Sequence, residues 1–264
     1  TVKPFEELLW KFDTELHCRR LVAQPVHKRA TGGGRKHTLK DSAGMLFFIL
    51  PYRRIYPTMA VAGFLFGVAR SPICNWVHPY QPVWEAVLDK KSCDLPKRQA
   101  RSVDEFLLAF PKVRRVVIDA TERLRTRPKD PELRRMTYSG KKKRHTLKNT
   151  LVADPHRKKI RILAPTAAGS VHDKRDLTDT GIVPNIADSI PIEVDWGYKG
   201  LEKEFEGIII PDKKTRKGDL TQAQKRRNRK KASSRVRVEH VIGLCKRYRC
   251  VSDVYRNRRK NFDD

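Results

Sequence analysis

The feature that most constrains this fold is a change of periodicity at Pro111. Before it, apolar residues recur at helical spacing; after it, short β-branched runs alternate with polar turns. Val113–Asp119 reads as a strand that ends on an acid. Tyr138–Leu147 and Asn149–Ala153 read as extended and very basic, Asp154–Lys158 as a turn, and Lys159–Leu163 as a returning strand. Ile190–Asp195 is a second short strand ending on an acid, followed by the turn Trp196-Gly197, and Phe205–Ile210 is a further buried-strand candidate. A helix at Ser233–Tyr248 closes the series, with Ser233 or Ser234 able to cap its start. Its apolar face is Val238, Val241, Ile242 and Cys245; Glu239 sits at the edge of that face and shares its side with Arg235 and Lys246.

Three acids thus have distinct addresses: Asp119, Asp195 and Glu239. Taken alone, Glu239 is most plainly a surface carboxylate paired with Arg235. Taken with two acids at strand ends it reads differently, because strand ends of one sheet converge at its rim. Converging carboxylates repel unless a cation joins them. Oxygen-only ligands favour Mg²⁺ or Mn²⁺. Two such ions roughly 3.5–4 Å apart can activate a water or a 3′ hydroxyl and stabilise the leaving oxygen in an in-line attack on a phosphodiester.

The amino-terminal part is helical. Phe5, Leu8, Leu9, Phe12 and Leu16 form the stripe of a packing helix, and Thr31–His37 is a basic, glycine-rich connector or an arm that lies along DNA. Leu39–Leu88 predicts three short helices: Asp41–Leu50 closed by Pro51, a second capped by Thr58, and a third opened by Ser71-Pro72. Helix, glycine-containing turn, helix is the helix-turn-helix arrangement, with a plain helical bundle the alternative. In the former, Asn75, His78 and Gln81 reach base edges, while Pro79 and Pro82 shorten or kink the helix. Residues 89–110 give a linker and a helix at Ser102–Phe110.

The 58 Lys and Arg against 30 Asp and Glu leave a net charge of +28, which repels itself unless it meets a polyanion. Dense runs at Lys141–Arg144, Lys213–Lys217, Lys225–Lys231 and Arg256–Lys260 point to nucleic acid. No apolar stretch is long enough to span a bilayer and no signal peptide is evident. Five cysteines without a CxxC pair argue against a disulfide framework or zinc site and fit a reducing compartment. Ser170 and Asp173 match the S-x-x-D capping box, so Asp173 has a structural role available, the alternative being a fourth acid near the metals. His145 and His240 suit packing or phosphate contacts, and Trp196 suits packing beside the site or stacking on a base.

Several segments, in this order, resemble the DDE transposases of bacterial insertion sequences, in the group similar to the PIF/Harbinger superfamily: Val117–Thr121, Tyr138–Lys148, Gly169–Asp173, Val194–Gly200 and Arg235–Lys246. The resemblance covers roughly residues 35–260. It implies a ribonuclease H-like catalytic domain over 111–260, an α/β fold with a mixed sheet flanked by helices, behind an all-α helix-turn-helix domain within 1–100. The succession of three strands, a helix, the Asp195 strand, a further strand and the Glu239 helix agrees with that fold. The resemblance also implies that Asp119, Asp195 and Glu239 are the catalytic metal ligands for two Mg²⁺ (or Mn²⁺) ions. Arg235, four residues before the Glu, and Lys246, seven after it, match the family's signature; a Tyr three residues before that Arg is absent, and Ala232 stands there. Lys141, Lys142, Lys143, Arg144, Lys148, Arg235 and Lys246 are then the phosphate-holding cations. The implied activity is binding of inverted-repeat ends, cleavage, and joining of the 3′ end to target DNA by a dimer or higher oligomer, in the cytoplasm at the nucleoid. A DNA-binding protein that keeps the fold without catalysis, and a nuclease without strand transfer, are the alternatives.

Overall fold

The computed structural model describes residues 2–23, 38–90, 97, 99–186, 188–214 and 219–256. The connector at 31–37 lies outside the described residues, as do parts of the basic runs at 213–217 and 256–260. The chain divides into two compact units, Thr1–Leu95 with Tyr248–Cys250, and Pro96–Arg247 with Val251–Asp264.

The first unit holds α1 (Val2–Ala23), α2 (Ser42–Ile55), α3 (Met59–Leu65) and α4 (Arg70–Lys90). Phe12 and Leu16 of α1 pack with Phe48 and Ile49 of α2 and with Ile73, Trp76, Tyr80, Val83 and Val87, one face of α4. Phe48 is the hub, its ring 5.2 Å from Phe66 and 5.3 Å from Trp76 in edge-on contacts. The expected packing helix is α1, and Thr58 caps α3 as expected. Pro51 does not close α2, which runs through it to Ile55, and α4 runs through Pro79 and Pro82, beginning one residue before Ser71. Each proline orphans the carbonyl four residues earlier. Those carbonyls belong to Phe47, Asn75 and His78, all on exposed faces, where water can satisfy them. Between α3 and α4 the axis bends by 97°. The turn carries Gly67 at φ +64°, and Gly63 approaches it so closely that an added Cβ would meet the Val68 carbonyl at 2.6 Å. No single helix among the described residues is long and apolar enough to cross a membrane.

The second unit contains α5 (Val103–Ala109), β1 (Val116–Leu124), α6 (Pro131–Thr137), β2 (Tyr138–Ser139), β3 (Arg144–Asp154), β4 (Lys159–Leu163), β5 (Ala167–Ala168), α7 (Asp173–Thr180), β6 (Ile192–Glu193), β7 (Ile208–Ile209) and α8 (Gln222–Lys246); the short α9 (Arg249–Ser252) is divided between the units. The mixed sheet runs β2-β3-β1-β6-β7, with β4 and β5 also paired to β3. β1, β3 and β4 are antiparallel neighbours; β6 lies parallel to β1, and β7 parallel to β6. One face of the sheet, with Val116, Ile118 and Val152, packs on Phe106, Leu177 and Tyr198. The other, with Val117, Leu151 and Ala153, packs on Val238 and Ile242 of α8.

Four boundaries differ from the sequence reading. β1 does not end at Asp119 but runs to Leu124, because every residue from Val117 onward has a ladder partner on β3. The basic segment at 144–154 is one continuous strand. Ser170 is not a cap: its N–H bonds the Met136 carbonyl, and His172 caps α7 instead, accepting from the Lys174 N–H at 3.3 Å. Ser233 and Ser234 lie inside α8, which starts eleven residues earlier at a Thr221/Gln224 capping box. The intervening Lys, Arg, Gln and Ala residues are strong helix formers, which is why the helix extends so far back.

Candidate active site

Asp119 is carried in mid-strand on β1 and shares the α8-facing side of the sheet with Val117, two residues before it. β6 pairs with β1 at Val116↔Ile192 and Val117↔Glu193. Two residues further along both chains come Asp119 and Asp195, so the register aims them at the same level. Asp195 opens a 3-10 turn, Trp196–Tyr198; its carbonyl accepts the Tyr198 N–H at 3.0 Å while its carboxylate makes no cap. That carboxylate goes instead to Arg235, Nη1 to Oδ1 at 2.8 Å. One turn further along α8, Glu239 Oε1 is 3.8 Å from Arg235 Nη2. α8 is set on the sheet by Val238 and Ile242, which fixes the side from which Arg235 and Glu239 arrive.

The electrostatics place all three acids in one neighbourhood. Burial raises the Asp119 carboxyl above its ordinary value, and the charges of Asp195 and Glu239 push the same way; the Ala120 N–H, 2.8 Å from Oδ1, and Arg235 oppose them. Asp195 and Glu239 remain accessible, with side chains 41% and 56% exposed. Among the described residues no group of three or more His, Cys, Asp or Glu is disposed to hold a metal ion as it stands. The Arg235 guanidinium lies against Asp195 and 3.8 Å from Glu239, so it supplies the positive charge between those two acids. An oxygen-only set of carboxylates around such a position fits a hard divalent cation, so Asp119, Asp195 and Glu239 are the residues that could hold one.

The expected DNA-side residues separate into groups. Lys141, Lys142, Lys143 and Arg144 are all exposed in and beside the β2–β3 turn, where the Ser139 hydroxyl accepts the Lys142 N–H at 3.2 Å. Lys246 is exposed at the end of α8. In the first unit, Asn75 and His78 are exposed on α4, while Gln81 is half-buried and donates to Glu85 at 3.2 Å. Lys148 does not belong with them. It is 4% exposed, and its ammonium is 2.6 Å from Asp173 Oδ1 and 2.5 Å from the Val171 carbonyl. It sits on the α7 side of β3, so its ammonium faces the protein interior rather than solvent. His145 packs edge-on against Tyr138 with centroids 5.6 Å apart.

Two features escaped the sequence reading. The Lys148–Asp173 pair joins β3 to α7 across twenty-five residues with no spacing signal to announce it. Trp196, beside Asp195, carries Lys199 at 5.4 Å and Lys213 at 5.1 Å from its ring centroid; only the first, three residues on, was foreseeable.

A family model for DDE superfamily endonucleases matches residues 118–264, more than half the chain and every acid of this site. The chain belongs to the DDE superfamily of endonucleases. Over 241 residues, 91% of this DDE endonuclease and 81% of the relative, it is 29% identical to the probable transposase for insertion sequence element IS702 of Microchaete diplosiphon. The kinship with insertion-sequence transposases is borne out by both likenesses, and no solved structure matches the chain. DDE endonucleases generally use divalent metal ions, and DNA is the substrate of a transposase.

Proposed function

We propose that the protein binds the inverted-repeat ends of its own element, cleaves them, and joins the freed 3′ end to target DNA. Asp119, Asp195 and Glu239 hold two Mg²⁺ (or Mn²⁺) ions in this reading. The observation that carries it is the register between β1 and β6, which aims Asp195 at the level of Asp119, with Arg235 tying Asp195 to Glu239. Bound ions would supply an activated hydroxyl and stabilise the leaving oxygen. Arg235, released from its two acids by that charge, is then free to grip a phosphate. Lys141–Arg144 and Lys246 grip the DNA backbone further out.

Supporting a ribonuclease H-like fold is a sheet of three antiparallel strands, β4-β3-β1, continued by parallel β6 and β7 and followed by the acid-bearing helix α8. The 97° bend between α3 and α4 supports a helix-turn-helix in residues 1–100 ahead of a catalytic domain at 111–260, with Asn75, His78 and Gln81 on the base-reading helix. Gln81 reads bases only if it gives up Glu85. The protein acts as a dimer or higher oligomer on DNA, in the cytoplasm at the nucleoid.

The test is a labelled element end incubated with Mg²⁺ and a second duplex. Asp195→Ala is expected to keep duplex binding and to lose both cleavage and joining by more than about a hundredfold, since even groups that only orient a metal ligand are worth 10–100-fold. Full cleavage by Asp195→Ala would sink the triad. Binding without cleavage by the unaltered protein would make it a DNA-binding protein that has lost catalysis; cleavage without joining would make it a nuclease.

A further inference from the structure

We propose that the buried Lys148–Asp173 pair is a positioning device for Asp195: acting through Gly197 and Tyr198, it fixes the turn that Asp195 opens. The proposal rests on the reading of Asp195 as a cation ligand.

Apart from the Arg235 contact and the bond inside its own turn, little else fixes Asp195. β6 pairs only through Ile192 and Glu193, and the last strand-like bond beyond them runs from the Val194 N–H to the Ile209 carbonyl at 3.1 Å. Past that point the chain leaves the ladder and enters the Trp196–Tyr198 turn. The turn is seated from the opposite face of the sheet. An added Cβ on Gly197 would lie 2.9 Å from Asp173 Oδ2 and 3.6 Å from its Cβ, so the Gly197 backbone rests directly on the Asp173 side chain. Next in line, Tyr198 is 1% exposed and packed in the core with Leu177 of α7. Burial first, then the charges of Asp173 and Asp119, raise its phenol far above the ordinary value, so it is neutral and inert at any physiological pH. It is a wedge, not an acid.

Asp173 is in turn held from below. Lys148 grips its other oxygen at 2.6 Å and the Val171 carbonyl at 2.5 Å. The loop leading into α7 is pressed onto β3 at Gly169, where an added Cβ would collide with Thr146 Oγ1. Along β3, the Thr150 hydroxyl donates to Asp176 at 2.5 Å, pinning the next turn of α7. The chain of contacts therefore runs from β3 through Lys148, Asp173 and Gly197 to Asp195. Burying a Lys and an Asp to stabilise a fold is poor economy, since apolar residues of the same volume do as well or better. What an ion pair adds is a fixed geometry at one oxygen, and here that oxygen belongs to the residue on which the Asp195 turn is seated.

The test uses the full chain and a readout other than turnover. Mn²⁺ is titrated against the protein without DNA, and its affinity is taken from the rise in Tm and from the paramagnetic resonance of free Mn²⁺. Lys148→Met combined with Asp173→Asn removes the pair while nearly keeping its volume; Gly197→Ala leaves the pair intact but pushes the turn off Asp173. Both are expected to weaken Mn²⁺ binding about tenfold, the low end for a group that orients a metal ligand. Ile162→Val, a core change away from the site, should lower Tm without changing the affinity. Unchanged Mn²⁺ affinity in the double variant and in Gly197→Ala overturns the proposal while leaving the ligand assignment standing. If Asp195→Ala itself leaves Mn²⁺ affinity unchanged, the ligand assignment fails and takes the proposal with it.

Discussion

Two ion pairs stand on opposite faces of one sheet, and they are built for opposite purposes. Arg235–Asp195 lies on the α8 side with side chains 30% and 41% exposed, at 2.8 Å. Lys148–Asp173 lies on the α7 side with side chains 5% and 24% exposed, at 2.6 Å. The distances are nearly equal, so contact geometry does not distinguish them; solvent does. Water screens the first pair, which makes it cheap to break and lets Arg235 exchange Asp195 for another charge. In the second, the Lys148 ammonium is too deeply buried for water to replace Asp173 around it, so the pair cannot open without stranding that charge. An exchangeable pair suits a site that must admit cations and a phosphate. A locked pair suits the support beneath it.

The sharpest way to break this comparison is to remove one cation from each face. Lys148→Ala strands Asp173 and should cost about 3 kcal/mol, the lower end for a broken buried pair because Asp173 is not fully enclosed. Arg235→Ala should cost less than about 1 kcal/mol. Urea denaturation of the two variants measures both. Equal costs would mean that the two pairs do not differ in kind.

A smaller effect is expected at Asp119, whose carboxyl is raised by burial and by its acidic neighbours. A carboxylate raised in the folded state favours the protonated fold, so its contribution is fully present below the unfolded value near 3.9 and is lost as pH rises through the folded value. At pH 7 the ionised Asp119 therefore works against folding. Asp119→Asn should raise Tm at pH 7, and the advantage should vanish towards pH 3. Added Mg²⁺ should raise the Tm of the parent but not of the variant. A constant difference between pH 3 and pH 7 would show that Asp119 feels no such strain.

The sequence made the acids legible because each sits where a β-branched or helical pattern stops being purely apolar: Asp119 after Val116-Val117-Ile118, Asp195 after Val194, Glu239 beside Val238. It made the start of α3 legible too, through the Thr58 cap. It misjudged lengths wherever a local signal competed with partners far away in the chain. Pro51 is a stop signal by local chemistry, but the exposed face at Phe47 lets water take the bond it removes, and exposure is a tertiary property. Ser170 and Asp173 spell a cap, yet the cap falls on His172 because the backbone before it is already committed to Thr146 and Met136. Lys148 shares a basic segment with Lys141–Arg144 and looks the same in one dimension. The pleat of β3 turns it inward, and nothing local marks Asp173 as its partner.

That last distinction yields the finest test of the two faces. Each lysine that meets a DNA phosphate releases condensed counterions, and log affinity falls against log salt with a slope of about −0.9 per contact. Lys141, Lys142, Lys143 and Arg144 are exposed together at the β2–β3 turn, whereas the Lys148 ammonium is enclosed. Replacing Lys142 by Ala should therefore lower the magnitude of the slope by up to about 0.9 on any duplex, whatever its sequence. Lys148→Met with Asp173→Asn should leave the slope where it was, because an ammonium enclosed in the protein meets no phosphate and so displaces no counterion from the DNA. The measurement is a salt titration of nonspecific duplex binding by fluorescence anisotropy. A slope that falls for the Lys148 variant as it does for Lys142→Ala would mean that the pair opens on DNA and that Lys148 reaches a phosphate after all. The contrast between an exchangeable and a locked pair would then have to be abandoned.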